Sequence, residues 1–344
     1  MDLDHQVAFP FEDRVPQPGE AIEVAPGVLW IRMPLPFALD HINLWLLDEG
    51  DGWTIVDTGF GVEATWALWE KHLAGTMGGR PVKDIVVTHY HPDHLGSAHW
   101  LQQRTGAPMW MTTSEFLSGH AAHDDTAGFD RATGVDFFVR NGLDVSNMPE
   151  RLRTGNGYKR GVPEIPRTYR RMMHGDRLTF GRRTWEVITV FGHAPEQATL
   201  YCQELGVLIS SDQVLPRITS NVGVWGNQPD SNPLAAFLDS LSRLGHLPGE
   251  TLVLPSHERV FRGLHPRIAA LHDHHVQRLE RLLEGCATPI TAYEAIPLLF
   301  KRQLDDHQMM FAMGESIAHL HFLHAAGKVR RDVDAKGVRR FVSA

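Results

Sequence analysis

The chain has 344 residues, 42% of them hydrophobic and 22% charged, and a formal net charge of -8 at pH 7. This composition is typical of a soluble, well-cored protein, and the length predicts a large domain with a smaller appendage. The negative charge argues against non-specific binding to nucleic acid or anionic membranes, since both favour basic surfaces.

Only two cysteines occur, Cys202 and Cys286, so neither a disulfide framework nor a thiolate metal cluster is expected. The acidic, proline-rich N-terminus lacks the apolar segment of a secretory signal. No apolar run approaches membrane-spanning length. We therefore expect a cytoplasmic protein that does not enter the membrane.

The first predicted elements follow a polar tail, residues 1–19, and are short segments rich in Val, Ile, Leu and Trp. Strands are predicted at GVLWIRMPL, INLWLLDEG and WTIVDTG, followed by a helix at VEATWALWEKHLAG. A strand (DIVVTH), a helix (LGSAHWLQQRTG) and another strand (APMWMT) come next. This alternation predicts an α/β fold with helices outside a sheet.

Residues 113 to about 175 interrupt the alternation, because they are rich in Gly, Asp, Arg and Asn and only weakly periodic. We interpret them as a partly helical insertion that covers the functional site as a lid. Strands resume at DRLTF, TWEVITVFG, ATLYCQ and GVLISSD. A long loop, QVLPRITSNVGVWGNQPDSN, then leads to the helix PLAAFLDSLSRLG and the strand TLVLPS, which completes a domain over residues 20–263.

From residue 264 the pattern is mainly helical, with segments IAALHDHHVQRLERLLEG, TAYEAIPLLF and HQMMFAMGESIAHLHFLHAAG. The end, KVRRDVDAKGVRRFVSA, predicts two short strands around a turn at Ala335–Gly337. Three helices and a two-stranded wing predict a winged-helix-like domain over residues 264–344. We expect His272, His274 and His275 on a solvated helix face, and His72 on the surface.

The segment DIVVTHYHPDHLGS contains the strongest chemical signal, a series of polar residues directly after a buried strand. A rigid strand end followed by a loop and a helix start can direct imidazoles and a carboxylate toward two neighbouring points. Three more segments (TWEVITVFGHAPEQ, GVLISSDQVLP and TLVLPSHERVF) also place a polar residue after an apolar strand. Together these segments predict a metal site with seven ligands: His89, His91, Asp93, His94, His193, Asp212 and His257.

This series resembles the metallo-β-lactamase-fold hydrolases, including glyoxalase II-like enzymes and the β-lactamase-like protein 2 group. The resemblance covers about residues 20–262 outside the insertion and implies an αββα sandwich. It implies that one metal is held by His89, His91 and His193, that the other is held by Asp93, His94 and His257, and that Asp212 bridges them. Asp57 matches the family's structural aspartate, with a simple turn aspartate as the alternative. Glu196 and Gln197 depart from the usual motif around His193, where a second His or a Gly is common.

Nitrogen and oxygen ligands without cysteine suit two divalent ions, zinc first, with manganese or iron as alternatives. His91 stands where diiron flavoprotein relatives carry a glutamate, which argues against oxygen-reducing diiron chemistry. Two ions about 3.5–4 Å apart can hold a bridging hydroxide that attacks a carbonyl or phosphoryl centre. We therefore expect a hydrolase of a small ester, thioester, lactone or related acyl substrate, with Asp93 orienting the hydroxide and passing on its proton.

Three other functions remain open: a single-stranded RNA endonuclease of the same fold, a mononuclear iron oxygenase of the persulfide dioxygenase type, and a nucleic-acid-binding regulator. A metal count separates the oxygenase, and the complete ligand series argues against a pure regulator. Nucleic acid binding is disfavoured by the net charge, although basic residues are clustered in the wing: Lys328, Arg330, Arg331, Arg339 and Arg340.

Residues that contact substrate are less clearly marked. Asn221 and Trp225, in the loop after Asp212, are predicted to line the mouth of the site, with plain loop packing as the alternative. Arg167 and Tyr169 are predicted to bind a carboxylate or phosphate, with a solvated arginine cluster as the alternative. The last helix has many apolar side chains, which predicts that it packs on the larger domain or on a second subunit, as in a homodimer.

Overall fold

The computed structural model of the protein describes residues 7–37, 39–146, 149–150 and 153–344, without the side chain of His307. The first six residues of the predicted N-terminal tail lie outside this part. The rest of the tail packs on the larger domain. Val7 is buried, and Ala8 forms an antiparallel bridge with Arg262.

The first sheet has seven strands that follow one another in chain order. Strands β1 (Ile22–Ala25), β2 (Val28–Pro34), β3 (His41–Asp48) and β4 (Trp53–Val56) are antiparallel neighbours. Strands β5 (Val82–Val86), β6 (Met109–Met111) and β7 (Arg170–Arg171) continue parallel to β4. Strands β2 to β6 confirm the prediction. The short β1 and β7 were not predicted, because β1 has a single buried residue and β7 has none, so neither forms an apolar run.

The second sheet has five strands: β8 (Arg177–Phe180), β9 (Arg183–Val190), β10 (Gln197–Cys202), β11 (Val207–Ser211) and β12 (Leu252–Pro255). Each of them lies beside its neighbour in the chain. Neighbours are antiparallel, except that β11 and β12 are parallel because a helix, α6 (Pro233–Leu244), connects them. All five strands were predicted.

In the described part of the chain, six α-helices precede β12: α1 (Glu63–Ala74), α2 (Pro92–Leu95), α3 (Ala98–Thr105), α4 (Thr113–His123), α5 (Arg131–Val139) and α6 (Pro233–Leu244). Side chains alternate across each strand. In β3, Trp45 therefore faces the core between the sheets, whereas Leu44 and Leu46 face the core that contains Trp69 of α1. The outer face of the second sheet packs on α6 through Val190 and Phe237. These layers confirm the predicted αββα sandwich.

The insertion contains α4, α5 and a short 3-10 turn at Tyr158–Arg160. It has no core of its own among the described residues. Phe137 and Phe138 of α5 pack instead in the core of the C-terminal helices. The insertion therefore connects the larger domain to the C-terminal segment.

The C-terminal segment contains α7 (Leu264–Gly285), α8 (Ala292–Leu299) and α9 (Asp306–Ala325), followed by an antiparallel hairpin of β13 (Val329–Val333) and β14 (Arg339–Ser343). This is the predicted order of elements. Helix α7 joins two cores, since Leu264 and Leu271 pack beside α6 whereas Leu282 packs with α8 and α9. The apolar side chains of α9 are largely buried within this chain, for example Met313, Ile317 and Leu320.

Two expectations about histidines were wrong. His275 on α7 and His72 on α1 are both fully buried. Tertiary contacts cover helix faces that look solvated in the sequence. Of the helices that the structure describes, none combines the length and the apolar character needed to cross a membrane.

Candidate metal centre and adjoining cleft

The seven predicted ligands follow strands that end at one edge of the sandwich. His89 comes after β5, His193 after β9, Asp212 after β11 and His257 after β12. Strands β9, β11 and β12 run in the same direction in the second sheet. The edges of the two sheets are joined by a hydrogen bond from the Ala198 amide to the Thr88 carbonyl, 2.9 Å long. The structure therefore brings residues that are 168 positions apart into one site, as His89 and His257 show.

One group of ligand atoms comes from His89, His91, His193 and Asp212, whose donor atoms lie within 4.8 Å of one another. His89 Nε2 is 2.9 Å from His91 Nδ1. His193 Nε2 is 3.1 Å from Asp212 Oδ2, and His89 Nε2 is 3.9 Å from the same oxygen. Three ring nitrogens and one carboxylate oxygen therefore point toward a common centre.

The second group comes from Asp93, His94 and His257. His257 Nε2 lies 3.4 Å from Asp93 Oδ2, and His94 Nε2 lies 3.7 Å from it. The other oxygen of Asp212, Oδ1, lies 3.4 Å from His257 Nε2 and 3.6 Å from His94 Nε2. Asp212 therefore directs one carboxylate oxygen to each group.

The donor atoms fit bound cations. His94 Nε2, His193 Nε2 and Asp212 Oδ1 are buried and lack a hydrogen-bond partner among the described residues. A buried polar atom without a partner costs about 1–3 kcal/mol, so an arrangement with three of them requires compensation. Nitrogen and oxygen donors without sulfur are suited to divalent ions such as zinc, manganese or iron.

Hydrogen bonds to the opposite ring nitrogen orient several of these imidazoles. His94 Nδ1 donates to Asp57 Oδ2 at 2.9 Å, and Asp57 also accepts from the Thr88 amide at 2.8 Å. Asp57 has a left-handed φ of 62°, a conformation that Asp tolerates better than most residues. Such bonds fix the tautomer so that Nε2 is free to bind a metal. The predicted role of Asp57 beside the site fits this geometry.

The other two oriented imidazoles bind backbone carbonyls. His193 Nδ1 donates to the Asn221 carbonyl at 2.8 Å, and His257 Nδ1 donates to the His41 carbonyl at 3.0 Å. Gly192, directly before His193, has a φ of 106°, and an added Cβ would lie 2.5 Å from the Pro233 carbonyl oxygen. The chain turns here in a way that favours glycine.

Burial controls the charge of these histidines. Burial, together with the neighbouring His193, lowers the pKa of His91 to about 3. At His257 burial opposes the charged form, but Asp212 and Asp93 outweigh burial and raise the pKa to about 10. A bound cation competes for the same nitrogen as this proton, since only the neutral imidazole is a ligand.

A cleft of about 290 Å³ lies beside His193. Its walls are largely aromatic and include Tyr90, Phe129, Phe191 and Trp225. Phe129 belongs to the insertion, and Tyr158 of the insertion stacks on Tyr90. The insertion therefore reaches the cleft, as the lid interpretation predicted.

The four predicted substrate residues separate into two pairs. Trp225 lines the cleft, and the carbonyl of Asn221 holds His193. Arg167 and Tyr169 are not among the residues that line this cleft. Arg167 lines a separate depression with His120 and His123, and the hydroxyl of Tyr169 donates to Thr113 Oγ1 at 2.9 Å. The expected carboxylate-binding role of Arg167 and Tyr169 is therefore not supported, because their backbone segment runs beside the first sheet instead.

Sequence reasoning missed Glu115, which is fully buried at the start of α4. Its carboxylate accepts hydrogen bonds from the backbone amides of Tyr90 (3.0 Å) and Glu196 (2.5 Å), and so connects the loops that carry His91 and His193. Burial raises the pKa of Glu115 to about 7. The sequence offers no signal for this role, since Glu115 stands in a helix with weak periodicity.

Comparison with known proteins gives a consistent assignment. Residues 38–257 match the family described as "Metallo-beta-lactamase superfamily", and residues 279–344 match "Metallo-beta-lactamase-like, C-terminal domain". The seven candidate ligands all lie in the first segment, whereas β1, β2 and most of α7 lie outside both segments.

Relatives extend over most of the chain. "Probable metallo-hydrolase YqjP" of Bacillus subtilis (strain 168) is 26% identical over 310 residues, which are 87% of this chain and 92% of that protein. "Hydroxyacylglutathione hydrolase" of Idiomarina loihiensis is 33% identical over 221 residues, 64% of this chain and 63% of that protein. The crystal structure of a beta-lactamase domain protein from Burkholderia ambifaria is 44% identical, with a TM-score of 0.91, and covers 100% of this chain and 99% of its own. The chain belongs to the metallo-beta-lactamase superfamily and is an enzyme of that superfamily.

Proposed function

We propose that the protein is a dinuclear metal-dependent hydrolase that cleaves a small ester, thioester, lactone or related acyl substrate. The position of Asp212 is the observation on which this proposal rests. Its two carboxylate oxygens face different groups of ligand atoms, at 3.1 Å from His193 and at 3.4 Å from His257. A carboxylate placed in this way would offer one oxygen to each of two ions, and two ions held there would polarise a single substrate.

Two bound divalent ions supply Lewis acidity and lower the pKa of water toward neutrality. Zinc is the first choice for this donor set, with manganese or iron as alternatives. Asp93, whose side chain is 18% exposed, lies at the boundary between the second group and solvent. It is the residue that accepts the proton of the attacking water and returns it to the leaving sulfur or oxygen. The water oxygen joins the acyl carbon as the bond to the leaving atom breaks.

The names of relatives support acyl transfer to water. Several are described as hydroxyacylglutathione hydrolases, which release an acyl group from glutathione. The cleft beside His193 adds support, since its volume of about 290 Å³ suits a small molecule.

The alternative of RNA cleavage is weakened by the charges of the wing. Arg331 pairs with Asp230 at 2.8 Å, and Arg340 pairs with Asp334 at 3.1 Å. Arg330 likewise pairs with Asp332. Arginines held by carboxylates of the same chain are poorly available for phosphates. We therefore propose a small-molecule substrate and no tight binding to nucleic acid.

Metal analysis followed by a substrate panel tests the proposal. Protein purified without chelator is expected to contain about two equivalents of metal and to hydrolyse at least one acyl thioester, ester or lactone. The panel also includes β-lactams, phosphodiesters and short RNA. One iron per chain with consumption of oxygen, or activity on RNA alone, would contradict the proposal.

A further inference from the structure

The cleft beside His193 is uncharged. Besides its aromatic side chains, the lining contains small apolar residues such as Ala194, Pro195 and Ala236. It also contains four neutral polar residues, which we call the polar rim: Asn227, Gln228, Ser231 and Asn232. Among the described residues that line it there is no Lys, Arg, Asp or Glu. The cleft therefore offers ring faces and amide hydrogen bonds, and no partner for a charged group.

The charged residue nearest along the chain to these four polar residues already has partners. Asp230, which precedes the rim residue Ser231, accepts from Arg331 at 2.8 Å and lies 3.7 Å from Arg339. Arg339 also donates to the Pro229 carbonyl at 3.1 Å. These arginines therefore already have partners, and binding a substrate carboxylate would require breaking these contacts.

We propose that the acyl substrate carries a neutral aromatic or arylalkyl group that binds between Tyr90, Phe129 and Trp225. Glutathione thioesters, the substrates in the names of several relatives, are expected to be poor. This inference rests on the proposed acyl hydrolase function and specifies its substrate class. Glutathione carries two carboxylates and an ammonium group at neutral pH, and bringing them against an apolar wall without partners is unfavourable. An aromatic ring gains both burial and edge or face contacts there.

Three thioesters test the proposal with the metal-loaded protein: the phenylacetyl and acetyl thioesters of neutral N-acetylcysteamine, and lactoylglutathione. The phenylacetyl compound is expected to have a kcat/KM at least about tenfold higher than either of the others. If lactoylglutathione has the highest kcat/KM of the three, the proposed substrate class is wrong but the proposed function stands. No hydrolysis of any acyl compound in the wider panel would instead count against the function itself.

Phe129→Ala provides the matched variant, because Phe129 lies in a loop of the insertion and contacts Tyr90 with ring centroids 6.0 Å apart. KM for the phenylacetyl thioester is expected to rise about tenfold, whereas kcat/KM for the acetyl thioester changes less than twofold. Tyr293→Ala on α8, a partly exposed aromatic residue remote from the cleft lining, serves as the control. Equal losses for both substrates in Phe129→Ala would show that the ring supports the fold and does not bind the acyl group.

A second inference concerns how the C-terminal helices act on the metal centre. Glu315 of α9 is 6% exposed and forms a salt bridge with Arg278 of α7. Burial raises the pKa of Glu315, and Arg278 and the side chain of Asn221 oppose this rise. The carbonyl of Asn221 in turn accepts from His193 Nδ1 at 2.8 Å. A chain of polar contacts therefore leads from α7 and α9 to one predicted metal ligand.

Backbone contacts hold the same loop against α9. The Val224 amide donates to the Gly314 carbonyl at 3.0 Å. Gly223 and Gly314 pack so closely that a Cβ added to either would lie 3.3–3.4 Å from the other's backbone. The loop after Asp212 is therefore fixed by α9 over several residues, of which Asn221 is the one bonded to a ligand.

The geometry points to Glu315 as a positioning residue for His193, and thus for the metal group formed by His89, His91 and His193. The partner of the second ring nitrogen orients an imidazole ligand, and loss of such a partner typically weakens metal binding by about 10–100-fold. Glu315→Gln keeps the shape of the side chain but removes the charge that binds Arg278. The Asn221 carbonyl is then less firmly held, and the orientation of His193 is less well defined.

Cobalt titration of chelator-treated protein tests this role, because the two binding steps and the ligand-field spectrum report on the centre without turnover. Glu315→Gln is expected to weaken one binding step about tenfold and to leave the other unchanged. Arg330→Ala, which removes an exposed salt bridge of the wing, is the control and should alter neither step. A folded Glu315→Gln protein with both affinities unchanged would overturn the inference.

Asn221→Ala gives a second route to the same answer if Glu315→Gln fails to fold. It removes the carboxamide that lowers the pKa of Glu315 and leaves the backbone carbonyl in place. The same single binding step is expected to weaken. A purely structural role would lower the melting temperature and leave both affinities and the cobalt spectrum as in the wild type.

Discussion

Asp212→Ala is the most informative perturbation of the metal centre, because one side chain serves both groups of ligands. With Asp212 included, each group offers four donor atoms, three of its own and one carboxylate oxygen. Apparent binding free energies for four-ligand zinc sites are about 10–16 kcal/mol. If a single donor contributes roughly a quarter, its loss costs about 3 kcal/mol per ion, or about a hundredfold in affinity.

The assay is competitive zinc titration of chelator-treated protein, with metal content measured after gel filtration. We expect both binding steps of Asp212→Ala to weaken by about a hundredfold. His193→Ala and His257→Ala are matched controls, since each removes a donor from one group only. Each control is expected to weaken a single step, and circular dichroism checks that all three variants fold.

The bridging geometry makes the double effect necessary. Asp212 Oδ2 is the oxygen beside His193, and Oδ1 is the oxygen beside His257 and His94. If Asp212→Ala weakens only one step while the other matches the wild type, Asp212 is not shared and the reasoning fails. A wild-type protein that binds a single equivalent at saturation would refute it as well.

Three further predictions follow from the structure. Asp57→Asn keeps a residue that tolerates the left-handed φ but removes the negative carboxylate that accepts a hydrogen bond from His94. One metal-binding step should therefore weaken about tenfold in the zinc titration. Gly96→Ala should lower the free energy of unfolding by about 3 kcal/mol or more, measured by urea unfolding. The new Cβ would lie 2.3 Å from the carbonyl oxygens of Gly161 and Pro92, so the backbone would have to move. A loss below about 1 kcal/mol would contradict this prediction. Burial lowers the pKa of His72 from 6.5 to about 4, so the folded state binds a proton at His72 less readily than the unfolded state does. The resulting contribution to stability is present above pH 6.5 and is lost as the pH falls toward 4. This contribution amounts to roughly 3 kcal/mol, and His72→Gln should flatten the pH dependence of the free energy of unfolding in that window.

Much of the fold was predictable because its signals are local. Strands such as β3 and β9 are apolar runs bounded by polar or glycine residues, and α6 begins after a run of Asp, Ser and Asn and ends before Gly245. The predicted ligands were identifiable for a related reason. Each of them follows an apolar strand, so the position of the strand end indicates that the polar residue lies at the edge of a sheet.

Other features depend on contacts between distant segments. The amphipathic pattern of α7 suggested that His275 was solvated. Helix α9 covers this face, however, and His319 Nε2 lies 3.0 Å from His275 Nδ1. Arg167 looked suited to bind substrate from its neighbours in the sequence, yet it lines a different depression. A residue's local pattern carries no information about which remote element packs on it.

The sequence by itself determined the two sheets, the C-terminal helices and the identity of the residues that can hold metal, because strand periodicity and ligand chemistry are properties of short segments. Only the tertiary structure decided that Asp212 faces both groups, that Glu115 joins the loops of His91 and His193, and that α9 supports the loop of Asn221. These relations depend on side-chain directions and on the packing of elements that are far apart in the chain, such as the loop of Val224 and the helix of Gly314. Such packing is set by the whole core at once and not by any local pattern.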